Sequence, residues 1–217
     1  MAQKAGQSHK MLNIREKHGY SSHTNLVDTT GNRDIGNSVM SSEAETSINN
    51  KYICNMNIRK ATYEDLHYLL DLFAKARGIM RASGNMHQWN DEYPSEEIVK
   101  TDISEGVCNV LCNEEGKIIA TMAFIPGPDA TYAKIYDGQW LDDSPYYVIH
   151  RIAVCEPGHN AAEQLFAWAF QQTKSISIDT HKDNVIMHHV LRKQGFTHCG
   201  RILLANGDPR EAFQKNI

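Results

Sequence analysis

Aromatic side chains, long apolar runs and an excess of positive charge are all scarce in this sequence of 217 residues. Aromatic residues make up only 8% of the chain, and 22 Lys and Arg stand against 26 Asp and Glu, which gives a formal net charge of −4. A general nucleic-acid binder needs a basic footprint to displace counterions from phosphates, so the charge argues against that class. No stretch approaches the roughly 18 consecutive apolar residues of a membrane span, and the first ten residues lack the apolar region of a signal peptide.

Cysteines are also few, and their number and spacing exclude two further classes. The chain has five, an odd number for a disulfide framework in a sequence of this length. Neither a C-x-x-C pair nor an H-E-x-x-H motif is present, so a structural or catalytic metal site is not expected. The sequence therefore predicts a cytoplasmic protein without a metal, a membrane or a nucleic acid among its partners.

The first 55 residues differ in composition from the rest of the chain. They hold seven Ser and seven Asn but only two aromatic residues, and no apolar period of 2 or 3.6 runs through them. Such a segment cannot bury enough apolar surface to offset the entropy lost on ordering. We predict a poorly ordered extension over residues 1–55, with a partner-binding arm as the alternative, and one folded domain over residues 56–217.

From residue 56 onward, regular patterns indicate alternating strands and helices. Apolar residues recur at helical spacing from Leu66 to Phe73, and Thr62 stands three residues before Asp65 in an arrangement typical of a helix cap. Further helices are predicted over 95–104, 161–172 and 184–194, and strands over 57–61, 107–112, 117–125, 146–154, 175–180 and 197–204. This order predicts an α/β (α+β) fold with a mixed sheet and helices on both faces.

The strand over 146–154 is followed by a tight turn and a helix that begins near Asn160. Unpaired backbone N–H groups and the positive end of the helix dipole at such a junction suit a pyrophosphate without requiring a lysine. A single strand–loop–helix with one glycine is weak support for phosphate binding. Two later blocks make the pattern specific: IDTHKDN over residues 178–184 and LRKQGF over residues 191–196.

With these blocks, the chain from Met56 to about Phe213 resembles the GCN5-related N-acetyltransferase (GNAT) superfamily. The pairs Gln88-Trp89 and Tyr93-Pro94 are similar to those of small bacterial members. The resemblance implies a mostly antiparallel sheet and direct transfer of acetyl from the co-substrate acetyl-CoA to a primary amine of a small molecule or peptide. It also implies that the backbone of Ile152, Ala153 and Val154 contacts the pantetheine arm and thioester. The loop around the pyrophosphate would consist of Gly158, His159, Asn160, Ala161 and Ala162. Asn184 would contact the CoA arm.

Two positions depart from the family pattern. Pro157 and Asn160 replace the Arg and the first Gly of the phosphate loop, although Asn tolerates left-handed backbone better than most residues. Leu191 stands where many members carry a Tyr that protonates the leaving thiolate, and leucine cannot do this. His188 and His189 lie one turn earlier and are the alternatives for that acid.

For the general base, the sequence offers His150 and Asp179. An amine must lose a proton to attack a thioester, and imidazole titrates near neutral pH. His150 is predicted in phase with Ile152 and Val154 at a period of 2, with Asp179 orienting its ring. The alternative for His150 is a structural histidine beside Arg151. The alternative for Asp179 is a structural carboxylate that caps the next helix or pairs with Arg151.

Trp89 and Tyr93 fall between the first two helices, in the segment that lines the acceptor pocket in this family. Aromatic walls suit a small amine, and Asp91 and Glu92 would attract its ammonium group; the alternative is that Trp89 closes the core. Two other functions remain open, namely an inactive acyl-CoA-binding module that acts through protein contacts, and a less favoured acetyltransferase of aminoacyl-tRNA. A homodimer is also left open.

Overall fold

The computed structural model describes residues 57–156 and 159–217. The predicted extension over 1–55 lies outside these residues, as do Pro157 and Gly158 of the phosphate loop, so the predicted domain division stays a prediction. None of the helices in the described ranges is long and apolar enough to cross a membrane.

Within the described residues, seven strands form one sheet with four helices on its two faces. The strands are β1 (Asn57–Lys60), β2 (Cys108–Cys112), β3 (Ile118–Pro126), β4 (Tyr147–Val154), β5 (Ser175–Thr180), β6 (Thr197–Leu203) and β7 (Pro209–Asn216), and the helices are α1 (Leu66–Ala82), α2 (Glu96–Ser104), α3 (Ala161–Gln172) and α4 (Val185–Lys193). The strand order is β1-β2-β3-β4-β5-β7-β6. Every neighbouring pair is antiparallel except β4–β5. The predicted fold class is confirmed.

Local sequence signals explain where the first two helices begin. The Asp65 carboxylate accepts the backbone N–H of Thr62 at 2.8 Å, which is the predicted capping contact ahead of α1. The hydroxyl of Ser95 accepts the N–H of Ile98 at 3.3 Å and caps α2 in the same way. These caps satisfy donors that the first helical turn leaves unpaired.

The two faces of the sheet bury separate apolar clusters. Consecutive residues of β2 show the alternation: Val110 packs in the cluster of α1 and α2, whereas Leu111 packs in that of α3 and α4. Buried positions on α1 recur at helical spacing, and Leu165, Phe166 and Ala169 do the same on α3. Helices therefore cover both faces, as predicted.

A twenty-residue connection, residues 127–146, joins β3 to β4 and crosses the sheet to reach β6. Tyr136 exchanges two backbone hydrogen bonds with Arg201 of β6, at 2.7 and 2.8 Å. The crossing requires glycine at Gly138, because a Cβ there would overlap the carbonyl oxygen of Cys199. Tyr132 of this connection lies in a third buried cluster with Val148 and two residues of the last strands. The connection thus brings its own side chains over the ends of β4 and β5.

The sequence patterns did not predict β7. This strand inserts between β5 and β6, and its middle residues Ala212, Phe213 and Gln214 are buried. Apolar and polar residues do not alternate regularly in its sequence, PREAFQKN, because some of the buried positions are polar. Several of these residues also have a low strand propensity. Tertiary packing, rather than local pattern, determines this strand.

Candidate active site

A cleft opens where β4 and β5 separate. The two parallel strands pair only through Tyr147 with Ile176 and Val148 with Ser177, and from Ile149 onward β4 has no β5 partner. A cleft of about 550 Å³ lies at this opening, lined by the segment between α1 and α2, by β4 and β5, by the start of α4 and by the turn between β6 and β7. A splayed pair of strands leaves backbone N–H and C=O groups free for a ligand.

A bulge in β4 changes the predicted phase of its side chains. Arg151 has a positive φ of 51°, and the register with β3 shifts at this point. Consequently Ile152 and Val154 pack in the same cluster as Ile149, whereas His150 lies on the opposite face of the sheet. The prediction that His150 is in phase with Ile152 and Val154 is therefore wrong, because an extra residue interrupts the period of 2.

His150 sits between two carboxylates in the cleft. Its Nε2 is 2.9 Å from Oδ2 of Asp129, whereas its Nδ1 is 3.8 Å from Oδ1 of Asp179, beyond hydrogen-bonding distance. The structure therefore brings His150 and Asp179 together as predicted, but Asp129 makes the contact that orients the ring. Asp179 is held instead by the Tyr132 hydroxyl, which donates to its Oδ1 at 2.7 Å.

The charges of this group follow from these contacts. The hydrogen bond from His150 holds the pKa of Asp129 well below its ordinary value despite partial burial, and hydrogen bonds from Thr131 lower it further. Burial raises the pKa of Tyr132 well above its ordinary value, and the nearby charge of Asp179 raises it further. Asp129 is therefore an anion and Tyr132 a neutral donor at neutral pH.

Arg151, which lines the cleft, forms a buried ion pair with Asp102. The guanidinium donates from Nε to Oδ2 of Asp102 at 2.6 Å and from Nη2 to Oδ1 at 2.8 Å, a bidentate arrangement. Asp179 consequently does not pair with Arg151. Nor does it cap α4, because Asn184 accepts the N–H of Met187 at 3.0 Å. The two structural interpretations of Asp179 are thus not observed.

Trp89 and Tyr93 line the cleft and also belong to the core. Trp89 is 9% exposed and packs edge-on against Phe73, with ring centroids 5.8 Å apart. Its ring lies 5.8 Å from that of Tyr93, and both residues face the cleft. Asp91 and Glu92, in contrast, do not line the cleft, and Asp91 pairs with Arg81 at 2.7 Å.

The described part of the predicted CoA loop keeps a turn at Asn160. Asn160 has φ 48° and ψ 36°, the left-handed conformation expected where the family has glycine. Ala161 is buried against the core, Ala162 is half-buried and His159 is exposed. Gly158 lies outside the described residues.

Neither candidate for the thiolate acid, His188 or His189, lines the cleft, and nor does Leu191. Leu191 is fully buried in the core of α3 and α4. A ring nitrogen of His188 lies 3.2 Å from the carbonyl oxygen of His181, and His189 is exposed. The side chains at these three helix positions therefore lie outside the cleft lining.

Sequence reasoning missed Asp129, Tyr132 and Arg210 as residues of the site. A usable signal existed for Asp129: its Oδ1 accepts the N–H of Thr131 at 2.8 Å, a turn typical of Asp-x-Thr, within a long connection of the kind that carries function. Tyr132 follows in the same connection. Among the residues that the structure covers, no group of three or more His, Cys, Asp or Glu is placed to hold a metal ion.

Comparison with known proteins identifies the fold and the family. A scan against protein-family models and a search of curated proteins give no match. Among solved structures, a GNAT-family acetyltransferase from Streptococcus agalactiae is 31% identical, with a TM-score of 0.68, over 75% of this chain and 95% of the other. The chain belongs to the GNAT family.

Two further structures support the GNAT fold at lower identity. An acetyltransferase of the family from Listeria monocytogenes is 20% identical with a TM-score of 0.57, and covers 75% of this chain and 95% of its own. The polyamine N-acetyltransferase of Drosophila melanogaster is 14% identical with a TM-score of 0.52, and covers 75% and 100%. Membership of the GNAT family, shown at 31% identity, makes this protein an N-acetyltransferase by class, of a family that uses acetyl-CoA.

Proposed function

We propose that this GNAT protein transfers the acetyl group of acetyl-CoA to the primary amine of a small molecule or peptide by direct attack. The observation that carries the proposal is the placement of His150 at the opening between β4 and β5. Its Nε2 is held by Asp129, Nδ1 has no hydrogen bond among the described residues, and His150 lines the cleft. A base held in one orientation beside a thioester site suits proton removal from an amine.

The reaction has one bond formed and one bond broken. The amine nitrogen attacks the thioester carbonyl carbon, a C–N bond forms, and the C–S bond breaks to release CoA as a thiolate. Nδ1 of His150 takes the amine proton, and the resulting imidazolium lies between the carboxylates of Asp129 and Asp179. Because a thiol has an ordinary pKa of about 8.5, the thiolate can take its proton from solvent, without a side chain at Leu191.

We assign the co-substrate to the splayed strands and the start of α3. The free backbone edge of Ile152, Ala153 and Val154 would hold the pantetheine arm, and the turn at Gly158, His159, Asn160, Ala161 and Ala162 would hold the pyrophosphate. Asn184 lines the cleft, with its Oδ1 capping α4 and its Nδ2 directed to Gln88 at 2.8 Å. Its contact with the CoA arm stays a prediction.

The acceptor would lie against Trp89 and Tyr93, across the cleft from α3. A primary amine is supported by relatives of the same fold, since the Drosophila enzyme forms N-acetylagmatine and another solved structure is an agmatine N-acetyltransferase. The homodimer and the cytoplasmic location stay predictions from the sequence.

The test is release of CoA thiol by the full chain with acetyl-CoA and a broad panel of primary amines, with product mass as confirmation. Calorimetric titration with acetyl-CoA precedes it. We expect binding, thiol release with at least one amine, and a product heavier by one acetyl group. Tight acetyl-CoA binding with no thiol release for any amine would support the inactive binding module, for which the buried Leu191 is the favouring observation.

A further inference from the structure

One cation in the cleft has no anionic partner among the described residues. Arg210 lines the cleft, is only 6% exposed, and donates from Nη1 to the carbonyl oxygen of Pro209 at 2.9 Å. No carboxylate oxygen of the described residues lies within 4.0 Å of its guanidinium, and its other nitrogens make no hydrogen bond there. A buried charge without a partner is costly, so its presence beside a cleft calls for a ligand.

The acids that could neutralise Arg210 are engaged elsewhere. Asp208 is exposed, and its carboxylate accepts from Nδ2 of Asn206 at 2.8 Å. Glu211 pairs with His198 of β6 at 2.5 Å, and Asp179 accepts the Tyr132 hydroxyl. The anion for Arg210 must therefore come from outside the described residues.

His181, which lies near Arg210, cannot neutralise this charge, because a histidine ring is either neutral or positively charged. Burial lowers the pKa of His181, and the positive charge of Arg210 lowers it further. The backbone N–H of Asp183 also donates to Nδ1 of His181 at 3.2 Å, which a neutral ring can accept. The surroundings of Arg210 thus leave its guanidinium as the unneutralised charge at this end of the cleft.

Arg210 lies on the same face of the sheet as the proposed base. In β7, Ala212 is the register partner of Asp179, and Arg210 is two residues further along the strand. Since alternate residues of a strand share a face, the Arg210 side chain leaves the sheet on the Asp179 side, with Cα atoms of Arg210 and Ala212 roughly 7 Å apart. The cation and the base thus border one small-molecule volume.

Gln88 adds a donor to the same cleft. Its Oε1 accepts from Nδ2 of Asn85 at 2.9 Å, from Oγ1 of Thr180 at 3.3 Å and from Nδ2 of Asn184 at 2.8 Å. The Asn184 amide is fixed because its oxygen caps α4, so the oxygen of Gln88 must face it. The Nε2 of Gln88 has no acceptor among the described residues, and Gln88 lines the cleft.

We infer that Arg210 binds a carboxylate of the acceptor, with Gln88 as a second donor, so that the acceptor is an amino acid or a close derivative. The inference rests on the proposed function, since it names the substrate class of the same site. A guanidinium matches a carboxylate through two parallel hydrogen bonds. A site built around such a pair rejects the analogue that lacks the charge.

The experiment compares each amino acid with its decarboxylated amine and its carboxamide, using thiol release by the full chain. Arginine with agmatine, ornithine with putrescine, and lysine with cadaverine are matched pairs. We expect kcat/KM to favour the carboxylated member by about 10- to 100-fold. Arg210→Gln is expected to bring this ratio toward one by raising KM for the amino acid, and Arg210→Lys is expected to restore part of the ratio. The dissociation constant of acetyl-CoA in Arg210→Gln should stay within about threefold of that of the unmodified chain.

Arg201→Gln is the matched control, because Arg201 is an exposed arginine on the neighbouring strand β6 that pairs with Asp137 outside the cleft. It should leave the ratio unchanged. If the unmodified chain acetylates the decarboxylated amines as well as or better than the amino acids, the proposed carboxylate site is wrong. The proposed acetyltransferase function would still stand. Weaker acetyl-CoA binding in Arg210→Gln would also overturn the carboxylate site, by assigning the anion to CoA.

A binding measurement separates the two proposals if no amine releases thiol. Calorimetry of the unmodified chain, loaded with CoA, then compares the same matched pairs without any turnover. Preferential binding of the carboxylated member supports the site even where acetyl transfer fails. Equal or weaker binding of that member overturns it, and neither result depends on the folding of a variant.

Discussion

Two groups of residues at the cleft treat their polar groups in opposite ways. In the first, which we name the closed wall, charged and polar groups find partners within the chain; in the second, the open wall, donors remain without acceptors among the described residues. In the closed wall, the shortest contacts are 2.6 to 2.9 Å. The closed wall consists of Asp102, Asp129, Tyr132, His150, Arg151 and Asp179, and the open wall of Gln88 and Arg210.

Arg151 and Arg210 make the contrast sharpest, because both are largely buried arginines that line the same cleft. Arg151 is held by two hydrogen bonds to Asp102, whereas among the described residues Arg210 is bonded only to a backbone carbonyl. A satisfied network fixes geometry before a substrate arrives, which catalysis requires. An unsatisfied donor gains its partner only on binding, which gives selectivity. The comparison therefore assigns chemistry to the closed wall and recognition to the open wall.

The largest effect is expected from His150→Gln, which removes the base but keeps a polar side chain. General bases contribute about 10²- to 10⁴-fold, so we expect kcat to fall by that factor, with acetyl-CoA affinity little changed. Steady-state kinetics with the best acceptor measures it. His189→Gln, at an exposed histidine of α4, is the control and should match the unmodified chain. A kcat within about threefold of that chain in His150→Gln would remove the chemistry from the closed wall.

Asp102→Asn tests the ion pair of the closed wall through stability. The change leaves Arg151 buried without its counter-charge, and breaking a buried pair in this way costs about 3–5 kcal/mol of unfolding free energy. Urea denaturation measures the loss. Glu156→Gln, which breaks the exposed pair with Lys117, is the control and should cost less than about 1 kcal/mol. Equal losses in the two variants would contradict the contrast between the walls.

Asp129→Asn is expected to cost about 1.5–3 kcal/mol near pH 6, the value of a hydrogen bond to a charged group. Because folding lowers the pKa of Asp129, its contribution is present above the ordinary carboxyl pKa of about 3.9 and is lost as the pH falls through and below that value. The gap in unfolding free energy between Asp129→Asn and the unmodified chain should therefore narrow steadily as the pH falls from about 5 to about 2. Urea denaturation across this range measures the gap.

The exposed Asp143 supplies the control for this pH series, since Asp143→Asn should leave unfolding free energy unchanged at each pH. A gap for Asp129→Asn that stayed constant down to pH 2 would mean that the carboxylate charge does not stabilise His150.

Local patterns predicted most of the fold and part of the closed wall. Helix 161–172 and strand 175–180 were predicted to the residue, because their apolar spacing and flanking turns are strong. The neighbouring positions of His150 and Asp179 followed from the family resemblance. The Asp-x-Thr turn marks Asp129 as a candidate residue. The contacts of Asp129 and Tyr132 with the site could not be predicted, because the connection that carries them has no period and its path depends on contacts with β6.

The open wall was harder to predict than the closed wall. Arg210 lies on β7, whose buried polar residues hide the strand pattern, and an arginine in a polar segment is ordinarily solvated. The wrong prediction of the face on which His150 lies has a similar origin. The left-handed residue Arg151 makes a bulge that changes the alternation of side chains in β4, and an arginine does not signal a bulge as a glycine would. Both cases show tertiary contacts overriding local periodicity, and both occur at the cleft.

The smallest stability effect is expected for Arg210→Met, which keeps a long apolar stem and removes the charge. Since Arg210 has no carboxylate partner among the described residues, its loss should change the unfolding free energy by less than about 0.5 kcal/mol, or raise it. Urea denaturation of Arg210→Met and Asp102→Asn under the same conditions compares their changes in unfolding free energy. Arg201→Met, at the exposed arginine of β6, is the matched control. A loss above about 2 kcal/mol in Arg210→Met alone would make Arg210 a structural residue like Arg151, and the distinction between the two walls would then fail.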